Sequence, residues 1–136
     1  MEITVSKEQG RIPVTILRVV GQLDGQTYQQ LIDKTREEYA AGAQTMLLDL
    51  GDLTYISSAG LVSLHTIALL LRGESLPDPE NGWNALKSMD RTRDGGVQKN
   101  LKLLNPRPEV SSVLDMVGFS AFFEVFTDRQ KAIKSF

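Results

Sequence analysis

Ser57 and Ser58 stand side by side where a turn-like stretch, Gly51-Asp52-Leu53-Thr54, gives way to a long apolar run. A serine in that place can act as a nucleophile, as a helix cap or as the acceptor of a phosphoryl group, and the surrounding residue types decide between them. A nucleophilic Ser58 needs a base within hydrogen-bond reach, about 3 Å. The one histidine of the chain, His65, follows seven residues later, which on a helix is two turns, about 10.5 Å. The Gly-x-Ser-x-Gly elbow of serine hydrolases is also absent. Asp24, Asp49 and Asp52 could gather at one end of a sheet, but their spacing follows no cation-binding loop. Carboxylates capping turns and helix starts are the simpler account. Neither Gly-x-x-x-x-Gly-Lys-Ser/Thr nor Gly-x-Gly-x-x-Gly occurs, so no phosphate-binding loop is expected. Phe119, Phe122, Phe123 and Phe126 read as core. The expectation is a protein with no catalytic residue, no metal site and no cofactor.

What remains for the serine pair is capping and modification. A helix start presents unpaired backbone N–H groups and the positive end of the macrodipole. A serine there caps well, and a phosphoserine would place about −1.5 to −2 charges where the backbone tolerates an anion best. Such a site can be switched without unfolding the domain.

The elements that would hold this site follow from periodicity. Residues 2–6 and 12–20 read as strands around a turn at Glu8-Gln9-Gly10, the second rich in β-branched residues. Gly21 and Asp24 close it, with Asp24 placed to cap the next helix. Tyr28, Leu31, Ile32, Thr35 and Tyr39 form one helical face, and Gly42 ends that helix. Met46-Leu47-Leu48-Asp49-Leu50 is apolar without alternation, as in a strand buried on both faces. A helix over 57–72 stops at Gly73. A strand over 101–105 and a helix over 108–117 follow, the helix with Val110, Val113, Leu114 and Val117 inward and Gly118 as its stop. Then come a strand over 122–126 and a short terminal helix. The order β-β-α-β-α-β-α-β predicts an α/β fold, a mixed β-sheet with crossover helices packed on it. Residues 73–100, with two prolines and four glycines, do not fit and read as an insertion or loop in a single domain spanning 1–136. A short helix around Trp83, Leu86, Lys87 and Met89-Asp90 is conceivable within it.

On the helix over 57–72, Leu61, Leu64, Ile67, Ala68 and Leu71 make the core stripe at 100° per residue. Ser58, Val62, His65 and Leu69 share another side. Either that half-apolar stripe faces a partner or the 73–100 stretch folds over it.

Composition removes other classes. The chain has 136 residues, 41% hydrophobic and 24% charged, which is one ordinary globular domain. It contains no cysteine, hence no disulfide, thiolate metal site or cysteine nucleophile. Fifteen basic against seventeen acidic residues give no basic excess for nucleic acid. No apolar run reaches the length of a membrane span and no signal-like N-terminus occurs, so the expected location is cytoplasmic.

Ser57-Ser58-Ala59-Gly60-Leu61, after Asp49-Leu50-x-x-Leu53-x-Tyr55-Ile56, resembles the signature of STAS domains, in particular bacterial anti-sigma factor antagonists. Gly21-Gln22-Leu23-Asp24 and the pattern over 101–128 match as well. The resemblance implies a STAS-like fold and a non-enzymatic, phosphorylation-switched interaction module in transcription regulation. The family motif is Asp-Ser-Ser/Thr-Gly-Leu, with the first serine phosphorylated. Alignment on Gly60-Leu61 puts Ser58 at that position, with Ser57 as the alternative. Ser57 itself stands where the family has Asp, and Ala59 stands at the second hydroxyl. Asp24 aligns with an acidic residue near the switch. The implied partners are an anti-sigma factor that is itself a serine kinase, bound by the unphosphorylated form, and a serine phosphatase that resets the phosphorylated one. Val62, His65 and Leu69 are the expected contacts. Two other readings stay open. One is an adaptor subunit of a phospholipid transporter or stress-signalling complex without phosphorylation. The other is a small-ligand sensor with residues 73–100 as its lid.

Overall fold

The computed structural model describes residues 1–73 and 98–136. The expectations for 73–100, including the helix and lid around Trp83, lie almost wholly outside them. The first two strands, β1 (Glu2–Gln9) and β2 (Pro13–Leu23), form an antiparallel hairpin in which Ile3 faces Val19 and Val5 faces Leu17. The helix α1 (Tyr28–Ala40) leads to β3 (Met46–Asp49), which is followed directly by β4 (Leu53–Ile56) and α2 (Ser58–Leu71). After the interval come β5 (Leu101–Leu104), α3 (Pro108–Met116), a 3-10 turn (Phe119–Ala121), β6 (Val125–Phe126) and α4 (Arg129–Lys134).

The mixed sheet has the order β1-β2-β3-β5-β6, and β4 also pairs with β2. Strand β2 is long enough to serve two parallel neighbours in succession. Thr15–Arg18 pair with β3, and Gly21–Leu23 pair with β4 after a register shift at Gly21, whose φ of +109° only glycine adopts freely.

Alternation sorts the side chains by face. Leu17, Val19, Met46, Leu48, Leu101 and Leu103 point into the main core with Leu31, Leu61, Leu64, Ile67, Val110 and Leu114 from α1, α2 and α3. On the other face Val14, Ile16, Leu47 and Leu104 are covered by Ala132 and Ile133 of α4. This is the expected α/β architecture, with three departures. Residues 53–56 form a strand where a turn was expected. Residues 122–126 are not one strand: Gly118, at φ +79°, ends α3 into the 3-10 turn, and Phe122 and Phe123 pack edge-on against Phe119, leaving two residues for β6. Val117 is 41% exposed, because α3 ends at Met116 before its side chain can turn inward.

Candidate functional site

The site grows from the end of β2. Leu23 pairs with Ile56, and its carbonyl accepts the Ser57 N–H at 2.9 Å, so the chain leaves β4 fixed to β2 at the residue where α2 begins. Asp24 and Ser57 are the next residues along the two strands. The Asp24 carboxylate already has work: Oδ1 accepts the Gln26 N–H at 2.9 Å and lies 3.2 Å from the Thr27 hydroxyl, whose shorter acceptor is the Gln22 carbonyl at 2.8 Å. Asp24 does not cap α1 with its side chain. The helix starts four residues later, and it is the Asp24 carbonyl that accepts the Thr27 and Tyr28 N–H groups.

Ser57 is the N-cap of α2, in extended conformation, with its hydroxyl accepting the Gly60 N–H at 3.4 Å. Ser58 is therefore the first helical residue. Its side chain is exposed, whereas Ser57 is half-buried. Gly60 makes the arrangement possible. A Cβ there would stand 2.6 Å from Ile56 Cγ1 and 2.7 Å from the Leu23 carbonyl oxygen, so only glycine lets the first turn of α2 lie on the β2–β4 pair. Behind the site, the β3–β4 turn is clipped to β2. The Asp49 carboxylate accepts the Gly51 N–H at 3.0 Å, the Asp52 carbonyl accepts the Gly21 N–H at 3.1 Å, and Asp52 forms an ion pair with Arg18. That hydrogen bond and charge hold the Arg18 guanidinium pKa above its usual value. Asp49 and Asp52 thus build the turn that sets the height of Ser58.

The stripe expected to face a partner is not open. Val62 and His65 are 5% and 8% exposed, and Leu69 is half-buried. The reason is that α2 is enclosed on several sides. It packs along α1 as well as on the sheet, and His65 lines a narrow cavity with Leu69, Arg72, Gln98, Phe122 and Phe123. Val62 and His65 are therefore interior residues, not docking surface. The open side chain that sequence reasoning missed is Tyr55, three residues before Ser58 and 50% exposed. It pairs across the strands with Gln22, which is also exposed. The sequence carried no clear signal for it: Leu53 and Ile56 are buried while Thr54 and Tyr55 between them are exposed, so β4 does not alternate as a regular strand would.

The family model described as the STAS domain matches residues 4–74. BtrV of Bordetella bronchiseptica, a candidate anti-sigma factor antagonist, is 28% identical over 136 residues, covering 100% of this chain and 95% of that protein. A structure described as a candidate anti-sigma factor antagonist of Thermotoga maritima superposes with TM-score 0.65 at 17% identity, over 89% of this chain and 85% of that one. The Bacillus protein SpoIIAA is similar in its unphosphorylated form (TM-score 0.57, 19% identity, 96% and 93% coverage). Its phosphorylated form is similar too (TM-score 0.52, 16% identity, 97% and 96% coverage). The matched span runs from β1 through α2 and contains the whole β2–β4–α2 corner just described, and by that match the chain belongs to the STAS domain family.

Proposed function

We propose that this chain is a partner-binding module of the anti-sigma factor antagonist type, switched by phosphorylation of Ser58. The unphosphorylated form binds an anti-sigma factor that is also a serine kinase, phosphorylation releases it, and a phosphatase restores binding. The observation that carries the reading is the division of labour between the two serines. Ser57 is half-buried and its hydroxyl accepts the Gly60 N–H as the helix cap, while Ser58 is exposed at the first helical position and has no side-chain hydrogen bond to a described residue. A phosphate on Ser58 would sit beside the positive end of a 14-residue helix, so the fold accepts it. The same phosphate opposes docking, because a partner that covers the site must strip water from it. Asp24, at the adjacent strand end, adds like charge. Docking is assigned to the rim of this corner, to Gln22 and Tyr55, with Leu69 contributing what surface it retains. The relatives' names agree with this reading: SpoIIAA is described in both an unphosphorylated and a phosphorylated form.

The test is incubation with Mg-ATP and a kinase-type anti-sigma factor from the same genome, read by intact mass. Wild type and Ser57→Ala should each gain one phosphoryl group, and Ser58→Ala should gain none. A gain retained in Ser58→Ala and lost in Ser57→Ala would move the switch to Ser57.

A further inference from the structure

The face of the sheet opposite α2 carries a second device. Val14, Ile16, Leu47 and Leu104 form an apolar strip there, and Ala132 and Ile133 of α4 bury it. A helix of six residues is far below the dozen or so that can hold helical form alone in water. Its order therefore depends on docking, and three contacts on the sheet are shaped for it. The first is Lys102. In β5 its neighbours Leu101 and Leu103 point into the main core, so Lys102 points outward, yet it is only 4% exposed. A buried ammonium is costly unless its donors are met. Here Nζ donates to the Ser135 carbonyl and hydroxyl, both at 3.0 Å, stands 4.7 Å from the Phe136 ring centroid and lies 3.6 Å from the Glu124 carboxylate. Most of what satisfies this lysine belongs to Ser135 and Phe136, in the segment that it fastens. The second contact is Gly10 in the β1–β2 turn, where a Cβ would stand 2.7 Å from the Ile133 carbonyl oxygen. The third is the ion pair of Arg129 with Glu8 at 3.2 Å.

We propose that residues 128–136 are a strap that opens from the outer sheet face as a unit, with Lys102 as its latch. Opening hydrates the Lys102 ammonium and uncovers the strip of Val14, Ile16, Leu47 and Leu104. It leaves the corner around Ser58 intact, because α2 and α1 pack on the other face. This opening is independent of the phosphorylation site and of the function proposed for it.

Native-state hydrogen exchange by NMR tests this. The Ala132 and Ser135 amides are bonded within the strap, to the Asp128 and Ala132 carbonyls. They should exchange at least about tenfold faster than the buried Leu50 amide, which is bonded to Leu104 where β3 and β5 end. Lys102→Met keeps the apolar stem and removes the donors. Gly10→Ala wedges the turn without touching the charge. Each should speed the strap amides by a further factor of about ten, with Leu50 unchanged. The proposal is overturned if strap and Leu50 amides exchange at one rate in wild type, or if neither variant moves the strap selectively.

Discussion

Replacing Gly60 by alanine tests how tightly the Ser58 corner is built. The added methyl would lie 2.6 Å from Ile56 Cγ1, 2.7 Å from the Leu23 carbonyl oxygen and 3.0 Å from Leu23 Cγ. Non-bonded carbons rest at about 3.5–4.0 Å, so something must move by nearly an ångström. Neither neighbour gives easily. Ile56 and Leu23 are core residues, and the Leu23 carbonyl is the acceptor that starts α2. Overpacking of this kind costs about 1–3 kcal/mol, while alanine regains up to about 1 kcal/mol of helix propensity. The net expectation is a loss of about 1–2 kcal/mol, or roughly 3–8 °C in Tm for a chain of this size. Gly25→Ala is the control. It makes the same chemical change in the turn between β2 and α1, with nothing within 4 Å of the new Cβ, and should stay within about 0.5 kcal/mol of wild type. Urea unfolding followed by far-UV circular dichroism reads both. Equal stability of the two variants would refute the claim that glycine is needed for the α2–β2 contact.

Other consequences follow from the same geometry. Ser57→Ala removes a long cap bond and should cost about 0.5–1 kcal/mol, whereas Ser57→Asp keeps an acceptor and adds charge at the positive helix end, so it should equal or exceed wild type in thermal denaturation. Asp24→Ala loses the acceptor of the Gln26 N–H that shapes the turn before α1 and should destabilise by about 1 kcal/mol in urea, with Asp24→Asn recovering most of it. The Glu109 carboxyl is held below its ordinary pKa, first by its own backbone N–H and then by Arg107. Its small stabilising effect is therefore present above the ordinary glutamate pKa and fades as pH falls through the lowered folded value. An NMR titration should show the Glu109 midpoint rising in Arg107→Gln, and an unchanged midpoint would contradict that assignment.

Much of this architecture is legible in the residue pattern, and the exceptions have physical causes. The face of α1 reads directly, since Leu31, Ile32 and Thr35 are buried and Gly42 (φ +110°) follows its end. Strand β4 escaped because Leu53-Thr54-Tyr55-Ile56 lacks alternation. It is a strand only because β2 runs past β3 and offers Gly21–Leu23 as a template, a tertiary fact. The phenylalanines at 122, 123 and 126 suggest a strand over 122–126, but Phe122 and Phe123 pack against Phe119 at helical spacing. The wheel of α2 found its core stripe correctly. It failed for Val62 and His65 because a wheel assumes one packed side, and this helix is enclosed by the sheet, by α1 and by the Phe122–Phe123 corner. The start of α2 at an exposed Ser58 is legible because it requires only the local switch from strand to helix.

The most direct test of the switch is the affinity of the kinase-type anti-sigma factor for two forms of this chain, unmodified and carrying phosphoserine at position 58 by semisynthesis, measured by calorimetry at one salt concentration. Stripping water from that phosphate against the partner should weaken binding by at least about a hundredfold, close to 3 kcal/mol. Equal affinity of the two forms would contradict the account.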